Sequence, residues 1–196
     1  MTQAWFYGEG TRLPVEMEYD SSLATEAYDL AAKWEASRGT PVSLLPYNAK
    51  DLDQFNANQK SEPYYYASPV AIFLSFLYLK VVFLERLQSL KTLPSSHVHH
   101  LTSVYSFNKS TNCDIRLRWY TLALSSAAGN DFASDAAAWL VDRETGLKGR
   151  MKFCRPIFKA ISNVNATLAK ETFTAHASEF HPIARRLIEK VSTRLV

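Results

Sequence analysis

Residues Asp20 to Gly39 read DSSLATEAYDLAAKWEASRG. Leu23, Ala27, Leu30, Ala31 and Trp34 recur at helical spacing and so gather on one face. Asp20 or Ser21 can cap the start, and Gly39 with Pro41 marks the end. The stretch is predicted to be an amphipathic helix, and the same punctuation recurs along the rest of the chain.

Asn48 is placed to cap a short helical turn through Phe55, and Pro94, Ser95 and Ser96 precede a helix running to about Phe107. Thr111 with Asp114 resembles a capping box opening a helix with Ile115, Trp119, Leu122 and Leu124 on its apolar face. Asn130 is read as the cap of the next helix, which buries Phe132, Ala136, Trp139 and Leu140 and is stopped by Gly146. Arg155 and Pro156 put proline at the first position of a helix carrying Ile157, Phe158 and Ile161. Asn165 opens another with Leu168 and Phe173. His181 and Pro182 open the last, with Ile183, Leu187, Ile188 and Val191.

No run alternates as strands do, so the fold class is all-α, with about eight or nine short helices on tight connectors. That count fits an irregular bundle or a right-handed α-α superhelix of helix pairs, and no clean internal repeat marks the second.

The chain of 196 residues suits a single domain. Apolar residues make up 47% and charged residues 21%, with six glycines, which excludes the disordered and fibrous classes. Twenty-two basic and 19 acidic side chains leave +3, with no dense basic tract, so no nucleic-acid partner is expected. Cys113 and Cys154 are too few and too far apart for a disulfide framework or zinc knot, and residues 1–20 lack the pattern of a secretory signal. A cytoplasmic location is the expectation. Tyr64 to Leu84 reads YYYASPVAIFLSFLYLKVVFL, long enough to cross a bilayer, yet interrupted by Pro69 and Lys80. It is read instead as a buried helix from near Pro69 through Leu90, exposing Glu85, Arg86 and Gln88.

Chemistry is sparse. His97, His99 and His100 cluster, but His-Glu-x-x-His is absent and no carboxylate or thiol partner is near in sequence, so they are read as a solvated helix start and not as a metal site. Phosphate-loop glycines and a Gly-x-Ser-x-Gly elbow are also absent. Cys154 between Lys152 and Arg155 would have a lowered pKa in that basic setting, but it lacks a neighbouring histidine base.

Gly149 to Phe158, GRMKFCRPIF, is the most informative stretch. On an extended connector Arg150 and Lys152 would point one way while Met151 and Phe153 anchor the other. Such a pair suits an anion, because an arginine fork grips a carboxylate through two hydrogen bonds and lysine adds a mobile charge. A solvated basic loop is the alternative.

This decapeptide resembles a signature of the C-terminal helical domain in the leukotriene A4 hydrolase and aminopeptidase B family of zinc metallopeptidases. Trp5, Phe6, Tyr7, Gly10, Asp20, Leu23 and Trp34 agree with it, as do Tyr105, Phe107, Asp114, Ile115, Arg116, Arg118, Trp119 and the closing His181–Pro182. The resemblance implies an armadillo- or HEAT-like right-handed superhelix over residues 1–196, closing one side of the cleft of a zinc aminopeptidase that hydrolyses peptides and, in one branch, epoxides. It also implies that Arg150 and Lys152 bind the substrate carboxylate, and the Arg-x-Lys form favours the hydrolase branch. The family's zinc ligands and glutamate base lie in other domains, so no cofactor is expected on this chain, zinc is expected in the missing catalytic domain, and the chain alone is expected to be inactive. Against the family pattern, residues from about 61 to 80 read as inserted, since removing them restores one helix from Asn58 through Leu90; an unspliced intron is the hypothesis. The rival reading is a stand-alone helical scaffold for protein–protein interaction.

Overall fold

The computed structural model of the chain describes residues 24–56, 69–144 and 147–192. Eight α-helices lie among them: α1 Thr25–Ala36, α2 Pro69–Ser89, α3 Ser95–Tyr105, α4 Cys113–Ser125, α5 Gly129–Val141, α6 Met151–Val164, α7 Ala166–His176 and α8 Pro182–Ser192. Short 3-10 turns cover Ser37–Gly39, Val42–Leu44, Ala49–Asn56, Phe107–Lys109, Leu147–Gly149 and Ala177–Glu179, and the described residues contain no strand. All-α is therefore the observed class.

Packing follows a two-layer rule. The even helices stack in series, α2 on α4, α4 on α6 and α6 on α8, and α1 also packs on α2. The odd helices form the second layer: α1 meets α3 where Trp34 Nε1 donates to Tyr105 Oη at 3.3 Å, and α3 meets α5 where His99 lies against Phe132. The layer continues as α5 packs on α7. This is the helix-pair stack of an α-α superhelix, in which each unit buries its apolar stripe on its neighbours. One continuous core results, with Trp34, Trp119, Tyr120, Phe83, Phe153 and Phe158 fully buried.

The helix starts divide into those that sequence placed and those it did not. Asn165 caps α7, accepting from Leu168 N at 2.9 Å. At the start of Ala49–Asn56, Asn48 Oδ1 accepts from Lys50 N at 3.0 Å and Asp51 Oδ2 accepts from Asn48 N at 2.9 Å, and Pro182 is the first residue of α8. Asp20 and Ser21 lie outside the described residues; α1 begins at Thr25, with Ala24 at the cap position. The cap of α4 is Asn112 and not Thr111, its Oδ1 accepting from Asp114 N and Ile115 N. Asn130 does not cap α5, which starts at Gly129; its Oδ1 instead accepts from Asn165 Nδ2. Gly146, its proposed stop, lies outside the described residues, and α5 ends at Val141. Ser106, the C-cap of α3, sits at φ 50°, the left-handed conformation that closes a helix.

Pro156 is not at a first position either. Helix α6 begins five residues earlier at Met151 and carries Pro156 inside it. A proline there removes one hydrogen bond to the carbonyl four residues back. Lys152 and Pro156 are both exposed, so the loss falls on the outer side of the helix while Phe153, Ile157 and Ile161 keep the inner side packed. The apolar stretch is one helix from Pro69 through Ser89 that buries Leu79, Val82, Phe83, Leu84 and Leu87 against the core and exposes Glu85, Arg86 and Gln88. Among the described residues no helix is long and apolar enough to cross a membrane.

Candidate functional site

The first turns of α4 and α6 meet α2 in an open cavity lined by Tyr78, Val81, Glu85, Asn112, Asp114, Arg118 and Lys152. Each element delivers its side chain for a local reason. The Asn112 cap fixes the start of α4 and so the place of Asp114, and Arg118 follows one turn later on the same face. Phe153, fully buried, pins the start of α6 and leaves Lys152 outward beside it.

Lys152 Nζ donates to Asp114 Oδ1 at 2.5 Å. Asp114 Oδ1 also accepts from Arg118 Nη1 at 3.3 Å, and Arg118 turns its Nε and Nη2 to Glu85 Oε1 at 2.7 and 2.6 Å. The charges thus alternate along Glu85, Arg118, Asp114 and Lys152, crossing three helices. Burial pushes the Asp114 carboxyl upward, but the hydrogen bond and charge of Lys152, with those of Arg118, outweigh it and hold the group below the usual aspartate range.

Arg150 precedes α6 in extended backbone, φ −108°, ψ 90°, and lays its guanidinium over the Phe153 ring at 4.7 Å from the centroid. The Lys152 ammonium lies 5.4 Å from the same centroid. The two cations named from sequence therefore both lie against the Phe153 ring, at the helix end that already carries partial positive charge, and of the two Lys152 lines the cavity with Asp114. Among the described residues Arg150 forms no ion pair, so its five donors are uncommitted to any carboxylate. The alternation expected of Gly149–Pro156 is corrected in part. This segment is helical from Met151, and Met151 is 40% exposed, so Phe153 alone provides the anchor.

The loop carrying Arg150 is tied down from behind. Leu147 O accepts from Arg150 N and from Cys154 Sγ, Lys148 pairs with Glu179, and His181 N donates to Lys148 O. The Glu179 carboxylate is lowered to about 2, chiefly by the Lys148 hydrogen bond and next by that of His176. Cys154 is not the activated thiol its neighbours suggested. It is fully buried, and burial pushes its thiol up to about 11.

The three histidines of α3 face three different ways. His97 is buried, with Nε2 on Ser37 O at 2.9 Å, which corrects the expectation of a wholly solvated cluster; His99 meets Asp131 and His100 lies against Trp34. Among the described residues no three groups are placed to hold a metal ion. Sequence reasoning missed the roles of Glu85 and Arg118; the four-residue spacing of Asp114 and Arg118 was the available signal, and nothing local announced their link to Glu85.

Residues 77–191 match the family described as leukotriene A4 hydrolase, C-terminal. The chain is 32% identical over 187 residues to leucine aminopeptidase 2 of Aspergillus niger, covering 95% of this chain and 25% of that protein. It is likewise 32% identical over 187 residues to leucine aminopeptidase 2 of Pyricularia oryzae, covering 94% and 25%. Among solved structures, the native yeast LTA4 hydrolase superposes with a TM-score of 0.72 at 24% identity, over 97% of this chain and 28% of that one. The chain thus spans about a quarter of the length of the curated relatives it matches.

Proposed function

Because this chain belongs to the leukotriene A4 hydrolase C-terminal domain family, we propose that it serves a zinc aminopeptidase as the helical wall that binds the substrate's carboxylate through Arg150 and Lys152. The observation that carries this reading is the convergence of both cations on the Phe153 ring at the positive end of α6. Once shielded from water by the catalytic domain, a charge-assisted bond of this kind would contribute about 1.5–3 kcal/mol. Arg150 supplies the fork and Lys152 the second charge.

The zinc and the hydrolytic water belong, on this reading, to a catalytic domain outside this chain, and the described residues do not fit the metal, since His97 and His99 are committed to separate partners and no three potential ligands come together. This chain's own part is to bind and orient a negatively charged substrate end. A cytoplasmic location belongs to the same reading, supported by Cys113 and Cys154 both being free thiols. So does an insert near residues 61–80, whose removal would join the stretch beginning at Asn58 to the apolar pattern that resumes at Val81. Transcript reads across this junction test it, and reads that consistently contain the segment refute it.

The functional test joins this chain to its catalytic partner. Arg150→Ala should raise KM and lower kcat for short peptides while zinc content stays intact, a loss of about ten- to a hundred-fold in kcat/KM for one charge-assisted contact. An unchanged kcat/KM removes Arg150 from the site.

A further inference from the structure

Resting on the carboxylate reading of Arg150 and Lys152, we infer that Asp114 is the positioning residue of the site: it holds the Lys152 ammonium at the start of α6, against the Phe153 ring that Arg150 also touches, and Arg118 with Glu85 holds Asp114.

Lysine's flexible stem leaves its charge free to sample a wide arc unless a partner fixes it. Lys152 is 59% exposed and has one ion-pair partner among the described residues, Asp114, from a helix 38 positions earlier in the chain. Asp114 is not itself loose. Its backbone N is bound by the Asn112 cap, and Arg118 grips both its carboxylate and its carbonyl O, the latter at 3.1 Å. Arg118 is braced in turn by Glu85 through two nitrogens, and its own carbonyl accepts from Gln88 Nε2 at 2.6 Å. The chain of alternating charge runs from a well-packed stretch of α2 and ends on the one mobile cation of the pair. Arg150 needs no such brace, because the Phe153 face already orients its planar group.

This arrangement gives the two cations unequal duties. An incoming carboxylate meets the uncommitted fork of Arg150 and shares Lys152 with Asp114, since an ammonium has three donors and one is taken.

The test is an NMR titration of the whole 196-residue chain with trialanine and with trialanine amide, comparing wild type, Arg150→Ala, Lys152→Ala, Asp114→Asn, Asp114→Glu and the Asp114→Asn/Lys152→Ala double variant. Wild type should prefer the free acid, and either cation variant should lose that preference. Asp114→Asn should weaken acid binding about three-fold, the scale of an exposed ion pair, and leave amide binding unchanged. Asp114→Glu should recover most of the loss, and Asp114→Asn should add nothing in the Lys152→Ala background. An equal effect on acid and amide, an undiminished effect without Lys152, or no effect at all overturns the positioning role. If the cation variants keep the acid preference, or wild type shows none, the carboxylate reading itself fails and this inference falls with it.

Discussion

Cys154 Sγ donates to Leu147 O from a fully buried position, and burial pushes the thiol up to about 11. Near pH 8 almost none of it is thiolate, so iodoacetamide should label Cys113, which is partly exposed, and spare Cys154 in the folded chain. Peptide mass spectrometry checks this; equal labelling of both overturns it. Glu179 is the opposite case, drawn down to about 2 by Lys148 and then His176. A carboxyl with a depressed folded value stabilises fully above its ordinary value near about 4.3 and loses that contribution as pH falls toward about 2. Its carboxyl carbon should titrate well below a free glutamate, and Lys148→Ala should move the midpoint back up. A midpoint at the ordinary value in wild type refutes the pairing.

At the level of single helices, Gly129 opens α5 in a tight spot. A Cβ built there would stand 2.6 Å from Leu124 O and 3.0 Å from Val164 Cγ1, joining α4, α5 and α6 at one point. Gly129→Ala should destabilise the chain by about 1–3 kcal/mol in urea unfolding, and a neutral result would show that the backbone yields there. Helix existence was legible in the described residues, because apolar groups three and four apart, such as Ala27, Leu30, Ala31 and Trp34 in α1 or Ile115, Trp119 and Leu122 in α4, are buried together as only a helix allows. Helix starts were less so. Asn112 outcompeted Thr111 as a cap because its oxygen reaches two backbone donors, at 2.8 and 3.2 Å, and Thr111 was named only from its spacing to Asp114. Pro156 misled because proline is allowed at a first position but not confined to one, and its exposed side of α6 tolerates the missing bond. Of the site, Arg150 and Lys152 were visible because they adjoin in sequence. The carboxylates that brace Lys152, Asp114 directly and Glu85 through Arg118, come from α4 and α2 and become neighbours only through packing.

For the molecule as a whole, the helix-pair stack makes stability a matter of neighbours, since each unit leans on the next. Amide exchange should therefore be slowest in α4 and α6, which are packed on both sides, and faster in α8 at the end of the row. Uniform protection from α2 to α8 would show a single cooperative block instead. The exposed Tyr78, Met151 and Ile183 lie on α2, α6 and α8. The bridge of charges from Glu85 to Lys152 spans three successive members of the row, so its length depends on how α2, α4 and α6 sit against one another. A slight bend or straightening of the stack would open or close the gap between Asp114 and Lys152, so that under the proposed carboxylate role the hold on a passing anion would gauge the shape of the whole scaffold.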